Sequence, residues 1–310
     1  WNDKETVINS ATFLAIENPS TDVARYRAGD LDMTSYGLPP EQFAKLQKEL
    51  PGEVYITRTL ATYSYELNNK KAPFDNVNIR KALNLSLDRN VITDKVLGQG
   101  QTPTYVFTPT YIEEGHLIQQ PAYSKEPMAQ RNEEAIKLLE EAGYSKANPL
   151  KFSILYNTNE NHKKVAIAAA SMWKANTKGL IDVKLENQEW KTYIDSRRAG
   201  RYDAARAGWN ADYNQATTFG NYFLSNSSNN TAKYANPEYD KAIAESYVAT
   251  DAEGRAKAYA KAEEILAKDF GIVPIFNYVN PRLVKPYVKG YSGKDPQDHI
   301  YLRNLYIIKH

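Results

Sequence analysis

The stretch NQEWKTYIDSRRAGRYDAARAGWNAD, residues 187–212, sets two tryptophans, four arginines and the carboxylates Asp203 and Asp212 around one short predicted strand. Residues 190–199 have the spacing of a short helix closed by Gly200, and residues 201–209 read as the strand. From Tyr202 to Trp209 the residues are mostly small or aromatic, so this backbone could lie open to an incoming extended chain. Trp190 and Trp209 would be its walls and Asp212 its end stop. Helix and strand alternate outward from here, which predicts an α/β fold.

Before this stretch, residues 150–156 and 181–186 read as strands on either side of a helix over 162–177. Residues 132–142 carry Ala135, Leu138, Leu139 and Ala142 on one helical face, with Gly143 as a left-handed stop. The 77–87 and 89–97 segments are consecutive helices, the second capped by Asp88. Residues 103–127 have no period and form a long loop. Nearer the start, strands are predicted over 7–16, 30–33 and 54–67, with helices over 22–27 and 40–50 between them. After the central stretch come helices over 237–248 and 252–268, a strand over 272–279 and a strand-like run over 301–308. The polar NNKKAP stretch, residues 68–73, marks a seam. The expected organisation is 1–62 in a first lobe, 63–279 as a second α/β lobe, and 280–310 returning to the first. Two lobes joined by two crossings form a clamshell whose ligand lies between them.

Composition narrows the function classes. The 39 basic and 37 acidic residues leave no field for nucleic acid or an anionic membrane surface. No stretch approaches the ~20 apolar residues of a membrane-spanning helix. With no cysteine, thiol catalysis, disulfides and thiolate metal sites are excluded. His116, His162, His299 and His310 are scattered without ligand spacing, and HExxH, GxSxG and GxxxxGK patterns are lacking. The expectation is a binding protein and not an enzyme, with no cofactor and no metal. Twenty-three tyrosines suit wet aromatic pockets that hold partly polar ligands. The sequence opens on Trp1 and enters an apolar stretch almost at once, which reads as a start within a domain.

FDNVNIRKALNLSLDR (74–89), NEEAIKLLEEAGY (132–144), ARAGWNADY (205–213) and NPRLVKPYVKGYSGKDPQD (280–298) resemble the peptide and nickel class of extracytoplasmic solute-binding proteins that serve ABC importers. ARAGWNADYN, SSNNTAKY and GYSGKDPQD look most like the oligopeptide binders of that class. KVLGQG and KTYIDSR look more like its murein-peptide binders. The resemblance implies a two-lobed, type II periplasmic-binding-protein clamshell lacking the N-terminal part of the first lobe and a small extra domain. It implies a periplasmic monomer that captures short peptides and delivers them to the membrane subunits of an oligopeptide permease. The alternative is a murein tripeptide (L-Ala-γ-D-Glu-meso-diaminopimelate) binder. A metal-chelate receptor and a murein-modifying enzyme are more remote.

The resemblance also implies roles. Asp212 matches the carboxylate that pairs with the ligand's α-amino group, a charge-assisted bond. Arg206, Ala207, Gly208, Trp209 and Asn210 match the strand whose backbone pairs with an extended peptide. Trp190, Arg197 and His162 match positions that line pockets or meet ligand carboxylates. Arg206 is assigned the peptide carboxylate, with His162 assisting when protonated, and Arg197 an extra carboxylate of a murein ligand. One departure stands out: the oligopeptide binders carry a lysine at the position of Leu97, which removes a cation for longer peptides.

Overall fold

The computed structural model describes residues 3–16, 18–35 and 37–309. The chain divides into two compact units. The first comprises Trp1–Thr59, Leu97–Gln101 and Tyr278–His310, and the second Leu60–Val96 and Thr102–Asn277. The boundaries fall inside two long strands, β1 (Val54–Leu67) and β6 (Ile272–Leu283).

In the first unit, helices α1 (Pro19–Ala28) and α2 (Pro40–Glu49) enclose a core of Val23, Tyr26, Leu38, Phe43, Leu46 and Leu283. Asn18 caps α1 by accepting from Ser20 N at 2.8 Å. A two-stranded ribbon pairs β7 (Val288–Lys289) with β8 (Tyr306–Ile307). Gly290 beside it has φ +84°, and a Cβ there would lie 1.8 Å from the Asn304 carbonyl oxygen, so only glycine fits.

Three expected strands in this unit differ from the structure. Residues 7–16 form no strand, because no described strand lies alongside them; Val7 and Phe13 are 67% and 78% exposed. Alternation without a partner ladder leaves the backbone to water. Residues 30–33 reduce to a single bridge between Met33 and Val284. The 301–308 run splits into a 3₁₀ turn, Leu302–Asn304, and the short β8.

The second unit is α/β. Its remaining strands are β2 (Thr102–Pro103), β3 (Leu150–Asn157), β4 (Ile181–Gln188) and β5 (Ala204–Asn210). Together with β1 and β6 they form one sheet in the order β2-β6-β1-β5-β3-β4. The helices are α3 (Val77–Leu85), α4 (Met128–Glu141), α5 (Glu160–Asn176), α6 (Trp190–Arg198), the single turn α7 (Thr217–Gly220), α8 (Pro237–Val248) and α9 (Ala252–Lys268). The helix expected over 89–97 is wound as a π-helix across Val91–Leu97, with Asp88 accepting from Asn90 N at 3.0 Å. The aperiodic 103–127 segment is ordered by burial, not by secondary structure. Phe107, Ile112 and Ile118 are buried, and the Glu263 carboxylate of α9 takes Thr108 N and its hydroxyl at 3.1 and 2.7 Å.

Arg89 pins the start of this segment to β6. It is fully buried. Its guanidinium donates to the carbonyls of Thr104 (3.1 Å), Pro274 (2.8 Å), Asn84 (2.9 Å) and Leu87 (3.2 Å) and to Asn84 Oδ1 (3.0 Å). It also lies 4.0 Å over the Tyr105 ring. Burial lowers its pKa from the ordinary arginine value, but five acceptors and an aromatic face hold the cation. Arg89→Met would keep the bulk and strand those carbonyls. The expected loss in urea unfolding is about 3 kcal/mol or more, each buried unsatisfied acceptor costing about 1–3 kcal/mol; a loss under about 1 kcal/mol would show that water replaces the guanidinium.

Candidate functional site

The site is built on β5, whose two sides are treated differently. On one side β1 pairs with it along its whole length, from Leu67↔Ala204 to Ala61↔Asn210, antiparallel. On the other side β3 pairs with it only at Ile154↔Ala204 and Leu155↔Ala205. From Arg206 to Asn210 no strand among the described residues covers that side.

The hydrogen-bond phase identifies which groups face the uncovered side. Asn68 N donates to Asp203 O at 3.1 Å and Ala211 N to Leu60 O at 2.8 Å. Antiparallel pairs alternate between bonded and non-bonded. Ala205, Ala207 and Trp209 therefore turn their N–H and C=O toward β1, while Arg206, Gly208 and Asn210 turn theirs away. Tyr193 of α6 donates its hydroxyl to the Arg206 carbonyl, closing the uncovered stretch at that end. Gly208 and Asn210 are left as two alternate residues whose amides and carbonyls face outward, the pattern an added strand requires.

The side chains divide by the same alternation. Ala205, Ala207 and Trp209 share a face with α6, as the Leu155, Tyr193, Tyr202 and Ala205 cluster shows. Trp209 is half-buried, packs edge-on to Tyr222 at 4.8 Å, and touches the core cluster that contains Phe107, Phe219 and Phe223. Trp190, at the first turn of α6, is 54% exposed and stacks on Tyr193 at 5.8 Å. The two tryptophans thus lie on the same side of the sheet. Arg206 and Gly208 lie on the other face, opposite Tyr65 and Tyr63 of β1. The Arg206 guanidinium stands 5.2 Å from the Tyr63 ring centre, and His162, in the first turn of α5, is 5.5 Å from the same ring.

Asp212 follows β5 and is exposed. Its Oδ2 accepts from the Thr218 hydroxyl at 3.1 Å, and its backbone N–H donates to the same hydroxyl at 3.2 Å. Asp203 takes no part here. It accepts from Ser153 N at 3.0 Å and Lys71 Nζ at 2.6 Å, holding the start of β5.

Two expected roles change. Arg197 does not stand ready for a ligand carboxylate: it grips Glu66 of β1 through Nε at 3.0 Å and Nη2 at 2.9 Å, with side chains 12% and 1% exposed. Burial alone would lower its pKa, but the Glu66 charge holds it well above the ordinary value, so the cation is already neutralised. Its neighbour Arg198 is exposed. His162 does not assist as a cation. Burial first, and the charge of Arg206 second, push its pKa from 6.5 down to about 2. At neutral pH its ring is therefore a neutral imidazole. Leu97 is 4% exposed at the end of the π-helix, an apolar position in the first unit.

Sequence reasoning passed over Glu66, Tyr193 and Thr218. Glu66 had a signal: a lone carboxylate in the buried strand ATYSYEL calls for a basic partner. Thr218 had none, because its role depends on a turn that brings it back under Asp212. Among the described residues, no three His, Cys, Asp or Glu side chains gather as a metal site, and His310 lies outside those residues.

Comparison with known proteins bears on this geometry. Residues 1–231 match the family described as bacterial extracellular solute-binding proteins, family 5 Middle. Over all 310 residues the chain is 98% identical to the periplasmic oligopeptide-binding protein OppA of Haemophilus influenzae, spanning 57% of its length. It is 43% identical to the periplasmic murein peptide-binding protein MppA of Escherichia coli, again spanning 57%. The crystal structure of Haemophilus influenzae OppA in complex with RPPGFSPFR superposes with a TM-score of 0.93 at 97% identity, covering all of this chain and 60% of that one. The chain thus spans just over half the length of these relatives.

The His162 environment sets a pH dependence. In the unfolded chain its ring takes a proton near pH 6.5, and in the folded protein only near pH 2. The unfolded state therefore binds the extra proton between those values, so this contribution is complete above about pH 6.5 and is lost as pH falls below it. Because water reaches the half-buried ring, the loss from pH 7 to 4.5 is expected at about 1–2 kcal/mol, below the ideal of about 1.4 kcal/mol per pH unit. In urea unfolding, His162→Asn should show that much less destabilisation on acidification than the unaltered protein. Equal losses in the two would show an ordinary, solvated histidine.

Proposed function

The chain belongs to the bacterial extracellular solute-binding proteins, family 5, and we propose that it holds a short peptide as an added strand on β5 for delivery to the membrane subunits of an ABC oligopeptide permease. The observation that carries this is the uncovered side of β5, with Gly208 and Asn210 facing outward and Asp212 just beyond them. The peptide runs antiparallel to β5, its ammonium on Asp212 and its backbone against Gly208 and Asn210. A carboxylate meets Arg206, whose guanidinium can grip it bidentately, with neutral His162 beside it. From Arg206 to Asn210 the strand spans about 13 Å, the scale of an extended peptide of three or four residues. Trp190 and Trp209 flank the same edge.

The 97% identical protein crystallised with RPPGFSPFR supports ligands longer than three residues. Prolines at its second and third positions lack N–H groups but keep their carbonyls, which the Gly208 and Asn210 amides can still meet. The occupied state of Arg197 favours this reading over a murein tripeptide, whose additional carboxylates would need an additional cation. The protein works as a periplasmic monomer and releases its ligand chemically unchanged.

Calorimetric titration with tri-alanine and N-acetyl-tri-alanine tests the assignment. Asp212→Ala should weaken tri-alanine binding about 10- to 100-fold, the worth of a hydrogen-bonded charge contact. Acetylation should weaken it comparably in the unaltered protein and add little in the variant. Tri-alanine binding that is indifferent to both changes would refute Asp212 as the amine anchor.

A further inference from the structure

We propose that Thr218 is a positioning residue for the ligand's ammonium, fixing the Asp212 carboxylate through a hydroxyl whose proton has one destination. The proposal rests on the reading that Asp212 receives that ammonium. Thr218 is the second residue of α7 and is 4% exposed. Its Oγ1 has three partners: the indole Nε1 of Trp209 at 3.2 Å, the backbone N of Asp212 at 3.2 Å and Oδ2 of Asp212 at 3.1 Å. An indole N–H and a backbone N–H can only donate, and an ionised carboxylate can only accept. The hydroxyl accepts from both nitrogens and must donate to Asp212, so its rotor is fixed by its surroundings.

Two consequences bear on ligand recognition. The carboxylate of Asp212 is exposed, and the bond from Thr218 favours one orientation of it before the ligand arrives, which lowers the ordering cost of binding. The indole N–H of Trp209 is engaged beneath the strand, so Trp209 meets a ligand with its ring face and edge and not as a donor. One hydroxyl thereby sets both the amine anchor and the neighbouring wall.

The turn is braced so that Thr218 can do this. Glu113 N donates to Asn214 Oδ1 at 3.2 Å, and Ala216 N donates to the Glu113 carbonyl at 3.0 Å. Gln215 Nε2 donates to Glu114 Oε2 at 3.0 Å. Glu114, with its side chain 5% exposed, is ion-paired with Arg255 of α9 at 2.6 Å. Thr217 next door exchanges a hydrogen bond with Tyr259 of the same helix at 2.9 Å. The 212–218 segment is therefore tied to the 113–114 segment and to α9 at several points.

The test is a double-mutant cycle read by tri-alanine calorimetry, with thermal midpoints measured in parallel. Thr218→Val keeps the shape and removes the hydroxyl, and Thr218→Ser keeps the hydroxyl. The expected result is about tenfold weaker binding for Thr218→Val, near-normal binding for Thr218→Ser, and no further loss when Thr218→Val is added to Asp212→Asn. Thr218→Ala replaces the valine variant if the midpoint shows that valine disrupts the turn. Unchanged affinity in Thr218→Val, or a loss that persists undiminished in the Asp212→Asn background, would overturn the proposal while leaving Asp212 as the anchor. Full-strength binding by Asp212→Asn alone would instead sink the amine-anchor reading and this proposal together.

Discussion

Everything at the site follows from how β5 is hydrogen-bonded. β1 holds it from Ala204 to Asn210, while β3 lets go after Ala205, so the strand is rigid on one side and uncovered on the other. A one-residue slip of the β1–β5 register would turn Gly208 and Asn210 toward β1, and would exchange the faces that Arg206 and Trp209 occupy. Several contacts prevent such a slip. Asp203 ties the start of the strand to Ser153 and Lys71, and Ala211 N bonds to Leu60 O at its end. Beyond that end, Thr218 bonds to Asp212.

The same register distributes charge. On the α6 face, Glu66 meets Arg197, Tyr222 and Thr231, giving a buried carboxylate with its cation and two hydroxyls. A buried pair of this kind adds little net stability, but removing either partner leaves the other charged and desolvated, so the pair enforces the geometry around it. On the α5 face, Arg206 is accompanied by the rings of Tyr63 and His162, and burial keeps that histidine neutral. Of the three basic side chains that the sequence displays, Arg197 is therefore paired with Glu66 and His162 is neutral.

Much of this was legible in the sequence because it depends on local patterning. The β1 strand and the α2 helix are read almost to the residue from periodicity, and β5 follows from its small and aromatic residues between two polar ends. The failures are of two physical kinds. Residues 7–16 alternate like a strand, but a strand exists only when another chain segment completes its ladder, and alternation carries no record of a partner. The family resemblance points to Arg197 and His162 as site residues, yet the availability of Arg197 depends on Glu66, 131 positions away in sequence, and the protonation of His162 depends first on burial and then on Arg206, 44 positions away. Resemblance can nominate such a side chain; only its tertiary neighbours decide whether its charge remains available.

On the proposed peptide reading, a site made this way would discriminate by backbone and termini more than by side chains. Gly208 and Asn210 present amides and carbonyls that every peptide can match, so extended segments of different sequence have similar claims on the edge. Selection then falls to the ends. On the proposed reading, an ammonium would need a carboxylate held in place, which Thr218 would provide by fixing Asp212 before binding, and a carboxylate would need a guanidinium beside the edge, the role proposed for Arg206. Fixing the anchor while leaving side-chain space between aromatic walls lets affinity come from preorganised polar ends and tolerance come from the pockets. A variant with Arg197 unpaired would strand Glu66 in the core, so on the proposed reading the ion pair on the α6 face would constrain ligand choice as well as strand geometry.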